Sequence, residues 1–230
     1  MRALCFVPDV NSPGKKDVTG AFYPEALAFT RHHRLSPAAI VRFPARSDYG
    51  VRRQACTRAI RSVQAELDVL AFFCHGWRDG IQAGFRIANV RALAALIADH
   101  VAPNGNVILY ACEAARDADD DQEDDLVGGP GGDGGFADEL RDACETLGRR
   151  ITVTGHASAG HCTWNPYVRA FGPGCHGRGG HWVVEPDSAL WRPWVRALRA
   201  SESSLRYRFW SMTAEAIREE LAPLGGPLVA

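Results

Sequence analysis

Two residues stand out for the chemistry they can do. His75 closes the run Asp68-Val-Leu-Ala-Phe-Phe-Cys-His75-Gly76, and Cys112 closes the run Asn106-Val-Ile-Leu-Tyr-Ala-Cys112-Glu113. An imidazole beside a thiol is the pair needed to form a thiolate nucleophile and then to protonate a leaving amine. Gly76, directly after the histidine, has no side chain to shield its amide, so that N–H is free to point into a site. Cys74, next to His75, is expected on the opposite side of its strand, in the core.

Both runs are apolar without alternation, as expected of strands buried on both faces of a parallel sheet. Between them Val90 to His100 has helical periodicity, with Pro103 and Gly105 as stop signals. A strand–helix–strand crossover makes the two strands parallel neighbours. Chemistry in such sheets gathers at the carboxyl ends of the strands, where His75 and Cys112 both fall. Further strands are expected at Ala3 to Val10, Ala38 to Phe43, Ile151 to His156, Tyr167 to Phe171 and His181 to Val184. Helices are expected at Pro24 to His33, Tyr49 to Leu67, Phe136 to Gly148, Leu190 to Ala200 and Ser211 to Leu221. The alternation predicts one three-layer α/β/α domain over 1–230 with a mostly parallel sheet and a helical C-terminal extension at about 188–225.

The paired blocks Phe72-Phe-Cys-His75-Gly76 and Ile108-Leu-Tyr-Ala-Cys112-Glu-Ala resemble those of caspase-like cysteine peptidases, the clan of caspases, metacaspases, legumains, gingipains and bacterial CHAT-domain proteases. The resemblance covers about residues 1 to 171. It implies a cysteine endopeptidase in which Cys112 attacks a peptide carbonyl and His75 acts as general acid and base. It also implies that the amides of Gly76 and Cys112 bind the oxyanion, and that the partner is a protein substrate. Two residues before the nucleophile, caspases carry a Gln and metacaspases an Asp that help bind the substrate side chain. Here the place is held by Tyr110. The stretch Ala157-Ser158-Ala-Gly-His-Cys-Thr163-Trp164-Asn165-Pro166 is similar to the caspase segment whose Ser-Trp-Arg lines the pocket. It makes Ser158, Thr163, Trp164 and Asn165 the pocket candidates. Asn165 stands where an Arg would pair with an acidic side chain, and a neutral amide cannot form that charge-assisted bidentate bond, which argues against Asp specificity.

Other features bound the alternatives. A net charge of −1 over 230 residues, with no basic stripe, gives no footprint for nucleic acid. No stretch has the apolar length of a membrane span, and the N-terminal segment is too soon interrupted to read as a signal peptide. Seven cysteines without a CxxC pair point to reduced thiols and a cytoplasmic protein, and the family resemblance to a bacterial setting. No metal site is expected as part of the chemistry, and no cofactor. His156, His161 and Cys162, with Cys175, His176 and His181, are zinc-ligand types at a spacing that matches no known finger. Residues 116–135 carry eight carboxylates and a glycine-rich tail, the composition of a mobile loop. Its oxygens suit calcium, and its place after Cys112 suits a cleavable segment. A different class of function also fits: a caspase-like scaffold that binds a protein partner without cutting it. An acyl hydrolase is a weaker fit, because no G-x-S-x-G elbow is present.

Overall fold

The computed structural model describes residues 1–9, 22–116, 134–160, 163–173, 180–200 and 203–224. Its centre is a seven-stranded sheet. In chain order the elements are β1 (Ala3–Pro8), α1 (Phe22–His32), β2 (Ile40–Phe43), α2 (Tyr49–Arg61), β3 (Leu67–Phe73), a two-stranded hairpin of β4 (Gly76–Trp77) and β5 (Gly80–Ile81), α3 (Val90–His100), β6 (Val101–Tyr110), α4 (Phe136–Thr146), β7 (Thr152–His156), β8 (Val168–Phe171), β9 (His181–Trp182), α5 (Trp191–Arg199), α6 (Leu205–Arg208) and α7 (Ala214–Leu221). The sheet order is β2-β1-β3-β6-β7-β8-β9. The first five of these strands are parallel, and β8 and β9 run antiparallel at one edge.

Strand alternation divides the sheet's side chains between two cores. Leu4, Phe6, Leu70, Phe72, Val107 and Leu109 face one side, where Ile60 of α2, Leu93 and Ile97 of α3 and Phe136 and Leu140 of α4 cover them. Cys5, Val7, Val69, Phe73, Ile108 and Tyr110 face the other, under Phe29 of α1, Trp194 of α5 and Ile217 and Leu221 of α7. With helices burying both faces, the fold is a three-layer α/β/α sandwich. The C-terminal helices are therefore part of the second layer rather than an appendage. Right-handed crossovers explain the division. The path β1–α1–β2 moves one way along the sheet, while β2–α2–β3 and β3–α3–β6 move the other, so α1 lands on the opposite face from α2 and α3. The reversal lies between β1 and β3, which makes the carboxyl ends there a crevice suited to a site.

Several boundaries differ from the sequence expectation. Helix α2 ends at Arg61 rather than Leu67, because Ser62 closes the last turn through its N–H to Arg58 and Ala59 carbonyls and the chain must extend into β3. The stretch expected as strand from Ala38 opens instead as a 3₁₀ turn, Pro37–Ala39, capped by the Ser36 hydroxyl, and extends only from Ile40. Helix α3 spans Val90–His100 as expected, but Pro103 and Gly105 beyond it sit inside β6, which starts at Val101, and there the register with β3 shifts between Leu67 and Val69. The β4–β5 hairpin has no counterpart in the sequence expectation, although Asp79-Gly80 is a turn signal. Of the acidic segment, residues 117–133 lie outside the described residues.

Candidate active site

The pairing of β3 with β6 sets the geometry. Its last partners are Phe73 and Tyr110, and the Cys74 N–H still donates to the Tyr110 carbonyl at 3.3 Å. His75 and Cys112 each stand two residues past this last pair. Cys74 packs in the core that holds Phe72 and Leu109 and is fully buried, as expected, while the His75 ring meets Phe22 of the core that holds Phe73 and Tyr110. Gly76 binds the two ends together. A Cβ on it would lie 2.5 Å from the Cys112 carbonyl oxygen and 2.7 Å from Ala111 Cβ, so only glycine lets the backbones come this close.

His75 is half-buried and held from two sides. Gln82, just after β5, accepts from the His75 N–H through Oε1 at 3.2 Å and donates its own N–H to the His75 carbonyl at 2.9 Å. The Phe22 ring at the start of α1 meets the imidazole edge-on, with centroids 4.9 Å apart. The hairpin and α1 thus fix the histidine's backbone and ring.

Cys112 follows β6 in a tight turn. Glu113 adopts a left-handed φ of 55°, its N–H donates to the Ser158 carbonyl at 3.3 Å, and Ala115 N–H donates to the His156 carbonyl at 3.0 Å. The Cys112 thiol donates to the Gly160 carbonyl at 3.3 Å. The nucleophile turn is therefore stitched to the loop that leaves β7. The other described cysteines, Cys5, Cys56, Cys74 and Cys144, are fully buried, and Cys112 alone among them is partly exposed. Burial pushes the thiols of Cys5, Cys74 and Cys144 up to about 12 and raises Cys56 as well.

Beside the thiol lies a cleft of about 620 Å³ between the β7–β8 loop and α5. Three of the sequence candidates line it: Ser158, Trp164 and Asn165. Asn165 is also a clamp. Its Oδ1 accepts from the Ser158 hydroxyl at 3.1 Å and the Tyr167 N–H at 3.0 Å, and its Nδ2 donates to the Ser158 carbonyl at 2.8 Å. Thr163 is buried, and Tyr110 more so, with 1% of its surface exposed. The Tyr110 ring stacks on Phe73 and its hydroxyl donates to the Arg206 carbonyl at 3.2 Å. Its position on β6 turns it toward the α1/α5 core, so the structure gives it a packing place rather than a place on the cleft wall. The cleft's far wall was not foreseen. Trp191, Val195 and Arg199 of α5 form it, and α5 is pinned to the loop by Trp194 Nε1 donating to the Pro166 carbonyl at 2.9 Å. Gln82, Phe22 and Gly160 were likewise not foreseen. Phe22 and Gly160 lie far in sequence from the residues they touch, and Gln82 reaches back to His75 only through the β4–β5 hairpin between them.

Among the described residues no group of three or more His, Cys, Asp or Glu side chains converges as a metal site. Of the zinc-type constellation, His161, Cys162, Cys175 and His176 lie outside the described residues, as do seven of the eight carboxylates proposed for calcium and the eighth, Asp133. The edges of that segment are described and lie together, since a Cβ on Gly135 would overlap the Arg116 carbonyl oxygen. No described helix is long and apolar enough to cross a membrane. No family model matches the chain, and no curated protein matches it.

Proposed function

We propose that the protein is a cysteine endopeptidase using a His75/Cys112 dyad. One observation carries this: the two residues stand two positions past the last paired residues of neighbouring parallel strands, with Gly76 packed against the Cys112 backbone and the thiol bonded to Gly160 on the wall of a cleft. His75 takes the Cys112 proton, and the thiolate attacks the carbonyl carbon of the scissile peptide bond. The tetrahedral oxyanion is held by the amides of Gly76 and Cys112. It collapses as the C–N bond breaks, and His75 returns the proton to the leaving amine. Water, losing a proton to His75, then attacks the thioester, and a carboxylate and the free thiol are released. The partner is a protein substrate, with no nucleic acid or membrane taking part. The five free cysteines among the described residues support a reducing, cytoplasmic setting.

The test is incubation of the full chain with a diverse peptide library, with cut sites read by mass spectrometry. Cuts made by the wild type and absent with Cys112→Ala support the dyad. A cleavage pattern that survives in the variant removes it. A chain that cuts nothing while still capturing a protein through this cleft is the non-catalytic scaffold.

A further inference from the structure

We infer that the cleft beside Cys112 receives a large apolar side chain, aromatic or long aliphatic, from the residue whose carbonyl is attacked; this rests on the peptidase reading above. The cleft and the thiol share a wall, because Gly160, whose carbonyl accepts from Cys112 Sγ at 3.3 Å, lines the cleft. The side chain next to the reacting carbonyl is therefore the one that enters it. Its volume of about 620 Å³ is in the range of small-molecule clefts and has room for an aromatic ring.

The lining decides the chemistry. Trp164, Tyr167 and Trp191 supply aromatic surfaces, and Trp191 is held against Tyr167 with centroids 4.9 Å apart. Trp164 is 44% exposed, a large apolar surface left open to water beside the only partly exposed thiol among the described cysteines. Covering such a surface is favourable in proportion to the apolar area removed from water. Among the described residues no carboxylate lines the cleft, so they offer a lysine or arginine side chain no counter-charge. The polar groups at its base are engaged with each other through the Ser158–Asn165 clamp. Among the described lining residues the one cation is Arg199, on the exposed last turn of α5, and an ion pair formed in water contributes far less than full burial of a ring. An acidic side chain would leave its carboxylate in an aromatic slot, with only that screened partner.

The experiment uses four peptidyl chloromethyl ketones that differ only in their last residue: Phe, Leu, Asp or Arg. The rate of adduct formation at Cys112 is read by peptide mass spectrometry on the full chain. The Phe and Leu probes are expected to react at least about tenfold faster than the Asp and Arg probes. Trp164→Ala, a change at an exposed position, is expected to reduce that preference several-fold. A faster Asp or Arg probe overturns the inference and leaves the peptidase reading standing, as does a full Phe and Leu preference in Trp164→Ala. If no probe labels Cys112, the peptidase reading fails and the inference falls with it.

Discussion

Gly76 and Cys112 touch through their backbones: a Cβ on Gly76 would sit 2.5 Å from the Cys112 carbonyl oxygen, closer than real Cβ atoms come. The neighbouring atom is backbone, so it cannot swing aside. Gly76→Ala must therefore part the ends of β3 and β6, at an overpacking cost of about 1–3 kcal/mol. The same displacement moves the amide proposed for the oxyanion. The variant is expected to lose roughly 10²-fold or more in kcat along with a lower thermal midpoint. Wild-type turnover in a variant with an unchanged midpoint would show that the two backbones are not in contact.

Exposure and burial separate Cys112 from the other described thiols. Burial pushes the thiols of Cys5, Cys74 and Cys144 up to about 12, which keeps them in the unreactive thiol form near neutral pH. Iodoacetamide at neutral pH is expected to alkylate Cys112 well before Cys5, Cys56, Cys74 or Cys144, as read by peptide mapping. Cys112→Ala is expected to lose that adduct and all proteolysis while changing stability by on the order of 1 kcal/mol. Equal labelling of a buried thiol would contradict the packing.

Gln82 grips His75 through its backbone and its side chain, and only the side-chain bond is open to mutation. Gln82→Ala leaves the His75 N–H without its acceptor, and a small shift of the histidine is expected to lower kcat about tenfold with KM little changed. Gln82→Glu keeps the accepting oxygen and is expected to restore most of the rate. A Gln82→Ala enzyme with unaltered kcat would reduce Gln82 to a loop residue.

The fold was legible where burial is decided locally. The runs before His75 and Cys112 are apolar on both faces, and the α3 stretch keeps its period from Val90 to His100, so the parallel pair and its crossover could be read directly. Tyr110 was not legible in the same way. Its place two residues before Cys112 suggested the pocket, but strand alternation turns its ring into the core, where it stacks on Phe73. The cleft wall from α5 was hidden for a different reason. Trp191 and Trp194 look alike in sequence, yet the first lines the cleft and the second is fully buried, and only the docking of α5 on the β7–β8 loop tells them apart. Asn165 could be read as lacking the charge of an Arg, but its clamp on Ser158 appears only with the loop folded.

The C-terminal layer should be sensitive to acid through His33. Its Nε2 donates to the Tyr207 carbonyl at 2.8 Å, and its ring packs on Phe29 and Trp210. Burial lowers its pKa from 6.5; the bond to Tyr207 opposes this, and the neighbouring His32 adds to it. His32 is lowered too, by burial and by Arg208, while the nearby Glu25 is engaged with the Tyr207 hydroxyl at 2.6 Å. The sign follows from which state binds the proton. Below about 6.5 the unfolded chain takes up protons that the folded chain resists, so stability falls as pH falls, until the folded-state pKa is passed and the loss levels off. Above about 6.5 both states are neutral and the group contributes no slope. His33→Gln keeps a donor for the Tyr207 carbonyl and removes the titration. Between about pH 8 and about pH 5, the thermal midpoint of the wild type is expected to drop further than that of His33→Gln, with Trp210 fluorescence reporting the loosening of this layer. Parallel pH curves for the two proteins would show that His33 does not couple protonation to the fold.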